Sequence, residues 1–146
     1  MSSPGPRWRT ALVALLAVAA LPVLGHWLRR PPGDRCAFDG VRVEPAFRVR
    51  VLDGRGRWAE FCCVRCAEVW LRRQGERPAG VYVTDEVSGG EVDAATAWFV
   101  RSRVVTNPVT GNRVHAFRNP DDARRHAEAC GGVLLSGPER PFQAED

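Results

Sequence analysis

The chain has 146 residues but no lysine and no isoleucine, and its one methionine is Met1. All 21 basic residues are therefore arginine, set among 17 acids for a formal charge of +4. The arginines are scattered, and no basic stripe interleaved with aromatics occurs. Nucleic-acid binding is thus unsupported. The same bias toward Arg, Ala, Gly and Pro fits a G+C-rich genome. Without a second methionine, a thioether-rich copper site cannot form in the mature domain. The five cysteines are an odd number, so they cannot all pair within one chain. The length sets one compact unit, or two very small ones.

The N-terminus lacks two further marks. No small-x-small cleavage site follows Leu24 cleanly. No cysteine ends the apolar run from Thr10 to Gly25, which excludes lipoprotein processing there. Arg7 and Arg9 precede the run, His26, Trp27 and Leu28 extend it toward bilayer-spanning length, and Trp27 suits an interface anchor. Residues 1–34 are read as an uncleaved signal-anchor helix and a Pro31-Pro32-Gly33 linker. The rest of the chain is then expected on the periplasmic or other extracytoplasmic face of the cell membrane. Arg29 and Arg30 on the far side argue against that orientation.

What the sequence does contain is two sulfur-bearing pairs, Cys36-x-x-Asp39 and Cys62-x-x-x-Cys66, with 22 residues between Asp39 and Cys62. That is enough chain for a hairpin between two halves of one site. Thiolates ligate Cu(I) and Zn(II) and are also nucleophiles.

The intervening pattern supports this reading. Phe47, Val49 and Val51 alternate with Arg48 and Arg50, so Phe47–Leu52 reads as a strand with one buried face. Asp53-Gly54-Arg55-Gly56 reads as a turn, Trp58–Phe61 as the returning strand, and Cys63–Arg73 as a helix stopping at Gly75. Val41–Val43 and Val81–Val83 read as short strands, and Asp93 as the cap of a short helix through Trp98. Val100–Thr106 and Arg113–Phe117 read as strands around a turn at 107–112. Asn119-Pro120-Asp121-Asp122 starts a helix that runs to about Cys130 and stops at Gly131-Gly132. Val133–Leu135 is the last strand, and the tail from Gly137 is expected to be loose. At an offset of 56, Arg57, Phe61, Ala67 and Gly75 match Arg113, Phe117, Ala123 and Gly131. Each copy reads strand, turn, strand, helix, strand, which favours duplication, the two copies sharing a core. The expected fold is α+β: the N-terminal helix, then two small ββαβ units at about 35–98 and 99–136, then a tail at 137–146.

Cys62 falls at a strand-to-helix junction, and Cys66 lies one turn on, on the same helix face. The helix start and Arg65 are expected to lower the thiol pKa values. The candidate metal ligands are therefore Cys36, Asp39, Cys62 and Cys66. Cu(I) would use the sulfurs alone, whereas Zn(II) would accept all four. The alternative in an exported chain is a disulfide from Cys36 to Cys62 or Cys66, in a structural module without metal. Cys63 points elsewhere, Cys130 reads as an inert core residue, His115 as a surface or rim residue, and His126 as solvent-facing.

The stretch from Arg35 to Leu135 resembles the NosL family, exported copper chaperones that are accessory proteins of nitrous oxide reductase. The resemblance is carried by Arg35–Val41, Phe61–Ala67, Val83-Thr84-Asp85, Val92-Asp93-Ala94, Ala116-Phe117, Asp122-Ala123 and Gly131–Leu134. It implies two ββαβ units, Cu(I) as the cargo, no enzymatic activity, and a cuproenzyme or copper-delivery protein as partner. The family's Cys and Met ligands fall here at Asp39, Val41 and Val109, so the usual ligand set is not inherited. The implied set becomes Cys36, Cys62 and Cys66. The Cys62/Cys66 spacing also resembles TRASH-type metal modules. Cys36–Asp39 and Phe61–Cys63 further resemble the active-site segments of organomercurial lyases, in which two thiolates take the metal and an Asp delivers a proton. That is the alternative, enzymatic reading.

Overall fold

The structure, a computed structural model, describes residues 34–143. The anchor segment read from the sequence lies outside them. Among the described residues no helix is long and apolar enough to cross a membrane.

A 3-10 turn at Pro45–Phe47 leads into β1 (Val49–Leu52), β2 (Trp58–Phe61), α1 (Val64–Gln74), β3 (Gly80–Thr84) and β4 (Glu91–Asp93). These are followed by β5 (Trp98–Arg101), β6 (Val114–Phe117), α2 (Pro120–Cys130) and β7 (Val133–Leu135). The strands form two antiparallel sheets, ordered β2-β1-β3-β4 and β6-β5-β7. In each sheet a hairpin partner is followed by the helix, which returns the chain to the other edge of the first strand. Among the described residues the fold is thus α+β, with two small sheets and two α-helices.

Local chemistry explains the elements. Val49 and Val51 of β1 are fully buried, while Arg50 faces out, its guanidinium 4.1 Å from the Trp58 ring centre and 2.9 Å from Glu91. The Asp53 carboxylate accepts the Arg55 and Arg57 N–H groups at 2.9 and 2.8 Å and closes the β1–β2 turn. α2 begins with the Asn119 side chain accepting the Asp121 N–H at 2.9 Å. α1 has no such side-chain cap. Both helices stop at a left-handed glycine, Gly75 (φ 66°) and Gly131 (φ 58°). Gly132 is needed for another reason: a Cβ there would meet the Arg101 carbonyl oxygen at 2.8 Å, where β7 closes onto β5. Val49, Val51, Phe61 and Val83 share one core with Phe99, Ala116 and Leu135 of the other sheet. A smaller cluster of Val100, Phe117 and Ala123 lies under α2.

Four expectations are corrected. No helix follows Asp93: its side chain accepts the Ala95 N–H at 2.8 Å, and one turn later the chain enters β5 at Trp98. A turn held by side chain and sheet on both sides cannot propagate a helical ladder. β5 covers Trp98–Arg101, not 100–106: after a last bond from the Ser102 N–H to the Arg113 carbonyl at 3.1 Å, the Ser102 hydroxyl accepts the Val104 N–H at 3.1 Å and the chain turns out of the sheet. Residues 41–43 form only an isolated bridge, Arg35 to Arg42. The tail is docked as far as Phe142: Arg140 donates to the carbonyls of Ala94, Ala95 and Ala97 at 2.6, 2.7 and 3.2 Å, and Phe142 meets the Phe99 ring at 6.2 Å.

Candidate metal centre

The first half of the site is a knuckle. The Cys36 N–H donates to the Val41 carbonyl at 2.7 Å and the Gly40 N–H to the Cys36 carbonyl at 2.9 Å, with Gly40 at φ 73°. The Asp39 carboxylate accepts the Val41 N–H at 3.0 Å, so the turn fixes that side chain. The Ala37 N–H donates to the Glu60 carbonyl at 2.8 Å and pins the knuckle to β2. The same β2 runs through Phe61 into Cys62 and the start of α1, so one strand holds both halves.

Cys62 precedes the helix, Cys63 occupies its N-cap position, and Cys66 lies in the first turn. One sulfur from each of Cys36, Cys62 and Cys66 and one Asp39 oxygen lie within 4.8 Å of one another. The Cys62 and Cys66 sulfurs are 3.6 Å apart. Two sulfurs holding one ion at about 2.3 Å stand about 3.8 Å apart, so this pair is already at ligand spacing. All five cysteines are free, and no disulfide joins Cys36 to either partner. The three sulfur residues are buried, whereas Asp39 is exposed and forms the rim toward water.

The electrostatics differ from the sequence-based expectation. Burial, then the neighbouring Cys63, push the Cys62 thiol well above its ordinary value of 9.0. Burial, then its bond to Asp39, do the same for Cys66. Arg65 is exposed and does not offset this. A partial helix charge is worth at most about 2 kcal/mol, too little against desolvation of several neighbouring thiols. In the metal-free site the Cys66 and Cys62 thiols therefore keep their protons and donate to Asp39, at 3.1 and 3.7 Å. For Asp39, partial burial works upward, but the Val41 N–H and the Cys66, Cys36 and Cys62 thiols outweigh it. The carboxyl is held below its ordinary value of 3.8.

The second half of the chain supplies partners that sequence reasoning missed. The Asn107 side chain donates its Nδ2–H to the Cys62 sulfur at 3.1 Å, and the Thr110 hydroxyl lies 3.5 Å from the Cys63 sulfur. Asn107 is itself held by the Val109 and Thr110 N–H groups, which donate to its Oδ1 at 2.9 and 3.2 Å. The Asn107–Asn112 turn was legible, but nothing marks which sulfur an amide 45 positions away will meet. The Val109 side chain, 71% exposed, is not among the grouped ligands; only its N–H serves the site, through Asn107. Cys63 lies outside the ligand group, as expected, and packs in the core at 1% exposed, its sulfur 3.9 Å from that of Cys62.

Three residues depart from their expected places. His115 is not at a rim but 1% exposed, its Nδ1 2.8 Å from Glu86 Oε2. His126 is half-buried, its ring 4.2 Å from that of His115 between centres. Burial, then nearby His115, hold His126 below its ordinary value of 6.5 against the opposing pull of Glu86. Cys130 is half-buried at the helix end, 4.0 Å from His126 Nδ1, rather than in the core.

No protein-family model matches the chain, and no curated protein matches it in sequence. Among solved structures it is similar to the copper chaperone NosL from Shewanella denitrificans. The TM-score is 0.62 over 74% of this chain and 90% of that one, at 20% sequence identity. The fold is thus NosL-like. At that identity the likeness speaks to the fold, and the site's chemistry has to be read from this chain's own residues.

Proposed function

We propose that this chain is a metal-binding accessory protein that holds Cu(I) on Cys36, Cys62 and Cys66 and passes it to a cuproenzyme or a copper-delivery protein. The observation that carries the reading is the meeting of three sulfurs and one carboxylate within 4.8 Å, from two stretches of chain, at a rim open to water. Sulfur-only ligation suits a soft monovalent ion. The protons displaced when the ion enters leave through Asp39, which already accepts from Cys66 and Cys62. Asn107 then donates to a Cys62 thiolate rather than a thiol, a stronger bond that stabilises the loaded state. Release proceeds by ligand exchange: a partner thiolate binds the ion as a site sulfur leaves, and that sulfur regains a proton.

The anchor read at residues 1–34 would hold the domain at the outer face of a membrane, beside an exported cuproenzyme such as nitrous oxide reductase. That the similar solved structure is a copper chaperone supports the chaperone reading over the organomercurial-lyase alternative.

The test is Cu(I) affinity by competition with a chromophoric chelator under reducing conditions. Cys62→Ser removes a ligand and should weaken binding beyond the roughly 10–100-fold that loss of an outer partner costs. Cys130→Ser should leave it unchanged. Equal affinity in the two variants would refute the site.

A further inference from the structure

A second group of ligating side chains lies apart from the thiols. Glu86 follows β3, His115 is on β6 and His126 on α2. One ring nitrogen from each histidine and one Glu86 oxygen lie within 4.8 Å of one another.

The hydrogen bonds show how His115 is placed to ligate. A hydrogen on Nε2 has an acceptor in the Val104 carbonyl at 3.2 Å, which can only accept. That leaves Nδ1, which lies 2.8 and 3.0 Å from the two oxygens of Glu86. In that tautomer the Nδ1 lone pair and the carboxylate face one another at a spacing that an ion between them would bridge. The backbone carbonyl on Nε2 is also the usual outer partner of a histidine that ligates through its other nitrogen. Ser102 Oγ joins the rings, 3.0 Å from His115 Nε2 and 3.3 Å from His126 Nε2.

The repeat adds an independent argument. The offset of 56 that carries Phe61 onto Phe117 carries Trp70 onto His126. Phe61 and Trp70 stack with ring centres 5.2 Å apart, and Phe117 and His126 do the same at 5.2 Å. The slot that the first half fills with an apolar aromatic carries an imidazole in the second. At the position matching Ala59 the second half carries His115. Packing alone requires neither nitrogen.

We propose that Glu86, His115 and His126 form a second metal site, for Zn(II), chemically separate from the thiols. Two imidazoles and a carboxylate are a recognised zinc set that leaves one coordination position open. The set disfavours Cu(I), which prefers sulfur. Glu86 belongs to the turn of the first sheet and the histidines to the second half, so a bound ion would brace one against the other.

The experiment is equilibrium dialysis of the full-length reduced chain against Zn(II), with metal analysis and the ring C–H signals of the histidines followed by NMR. The Cys36→Ser/Cys62→Ser/Cys66→Ser variant should bind one equivalent of zinc and shift two histidine rings. Adding His126→Gln, or His126→Trp as in the first half, should abolish both. A folded thiol-free variant that binds no zinc overturns the proposal, and so does unchanged binding after the His126 substitutions. If the thiol-free variant does not fold, His126→Gln in the otherwise unaltered chain should lower bound zinc by one equivalent, and undiminished stoichiometry overturns the proposal equally.

Discussion

Raising the pH of the reduced, metal-free protein should unfold it through two sulfur atoms. Burial holds the Cys62 and Cys66 thiols above their ordinary value of 9.0, so the folded chain keeps protons that the unfolded chain releases. The sign follows from linkage: the stability these groups contribute is fully present below pH 9 and is lost as pH rises above it. Each thiol that stays protonated in the fold costs about 1.4 kcal/mol per pH unit in that range. Between pH 7 and about pH 10.5 the pair costs about 4 kcal/mol, a large share of the roughly 5–15 kcal/mol typical of a domain. The composition makes the experiment clean. With no lysine and a single tyrosine, little besides the thiols titrates there, since arginine stays charged. Urea unfolding at a series of pH values, in a phosphine reductant with a chelator, measures the slope. The Cys62→Ser/Cys66→Ser variant should lose that much less stability across the range, and Tyr82→Phe should not change the comparison. Parallel pH profiles in the parent and the double variant would refute the reasoning, and would mean that the helix start ionises these thiols despite their burial.

Asp39→Asn separates the two candidate ions. In a His126→Gln background, which removes the second zinc set, it takes away a ligand oxygen for Zn(II) and should weaken binding by more than about 100-fold, while Cu(I), held by sulfur, should change by less than about tenfold; competition titrations with each ion decide. Asn107→Ala removes the donor to Cys62 and leaves all four candidate ligands in place. It should weaken Cu(I) about 10–100-fold in the same chelator assay, and an unchanged affinity would show that the amide has no part in the site.

Much of this arrangement was legible because it depends on local rules. The run Trp58–Phe61 into Val64–Gln74 announces itself by alternation, then helical spacing, then Gly75, and that spacing alone turns Cys66 toward Cys62. The offset of 56 marked both helices and the strands before them, and Cys36-x-x-Asp39 marked the knuckle. What depends on distant contacts was not legible. The thiols were expected to ionise because the helix start and Arg65 are visible in the sequence, while burial of all three site cysteines is not. His115 was placed at a rim because Glu86, which compensates for its burial, lies 29 positions away. The five residues after Asp93 have helical composition, yet Val92 and Phe99 belong to different sheets, and the stretch between them can only turn. Arg140 gave no sign that three carbonyls awaited it.

The most direct test is X-ray absorption at the copper edge of the reduced protein loaded with one equivalent of Cu(I). The account predicts a first shell of sulfur alone, which loses sulfur in Cys62→Ser and in Cys36→Ser. A shell dominated by nitrogen or oxygen, or one that neither substitution alters, would contradict it.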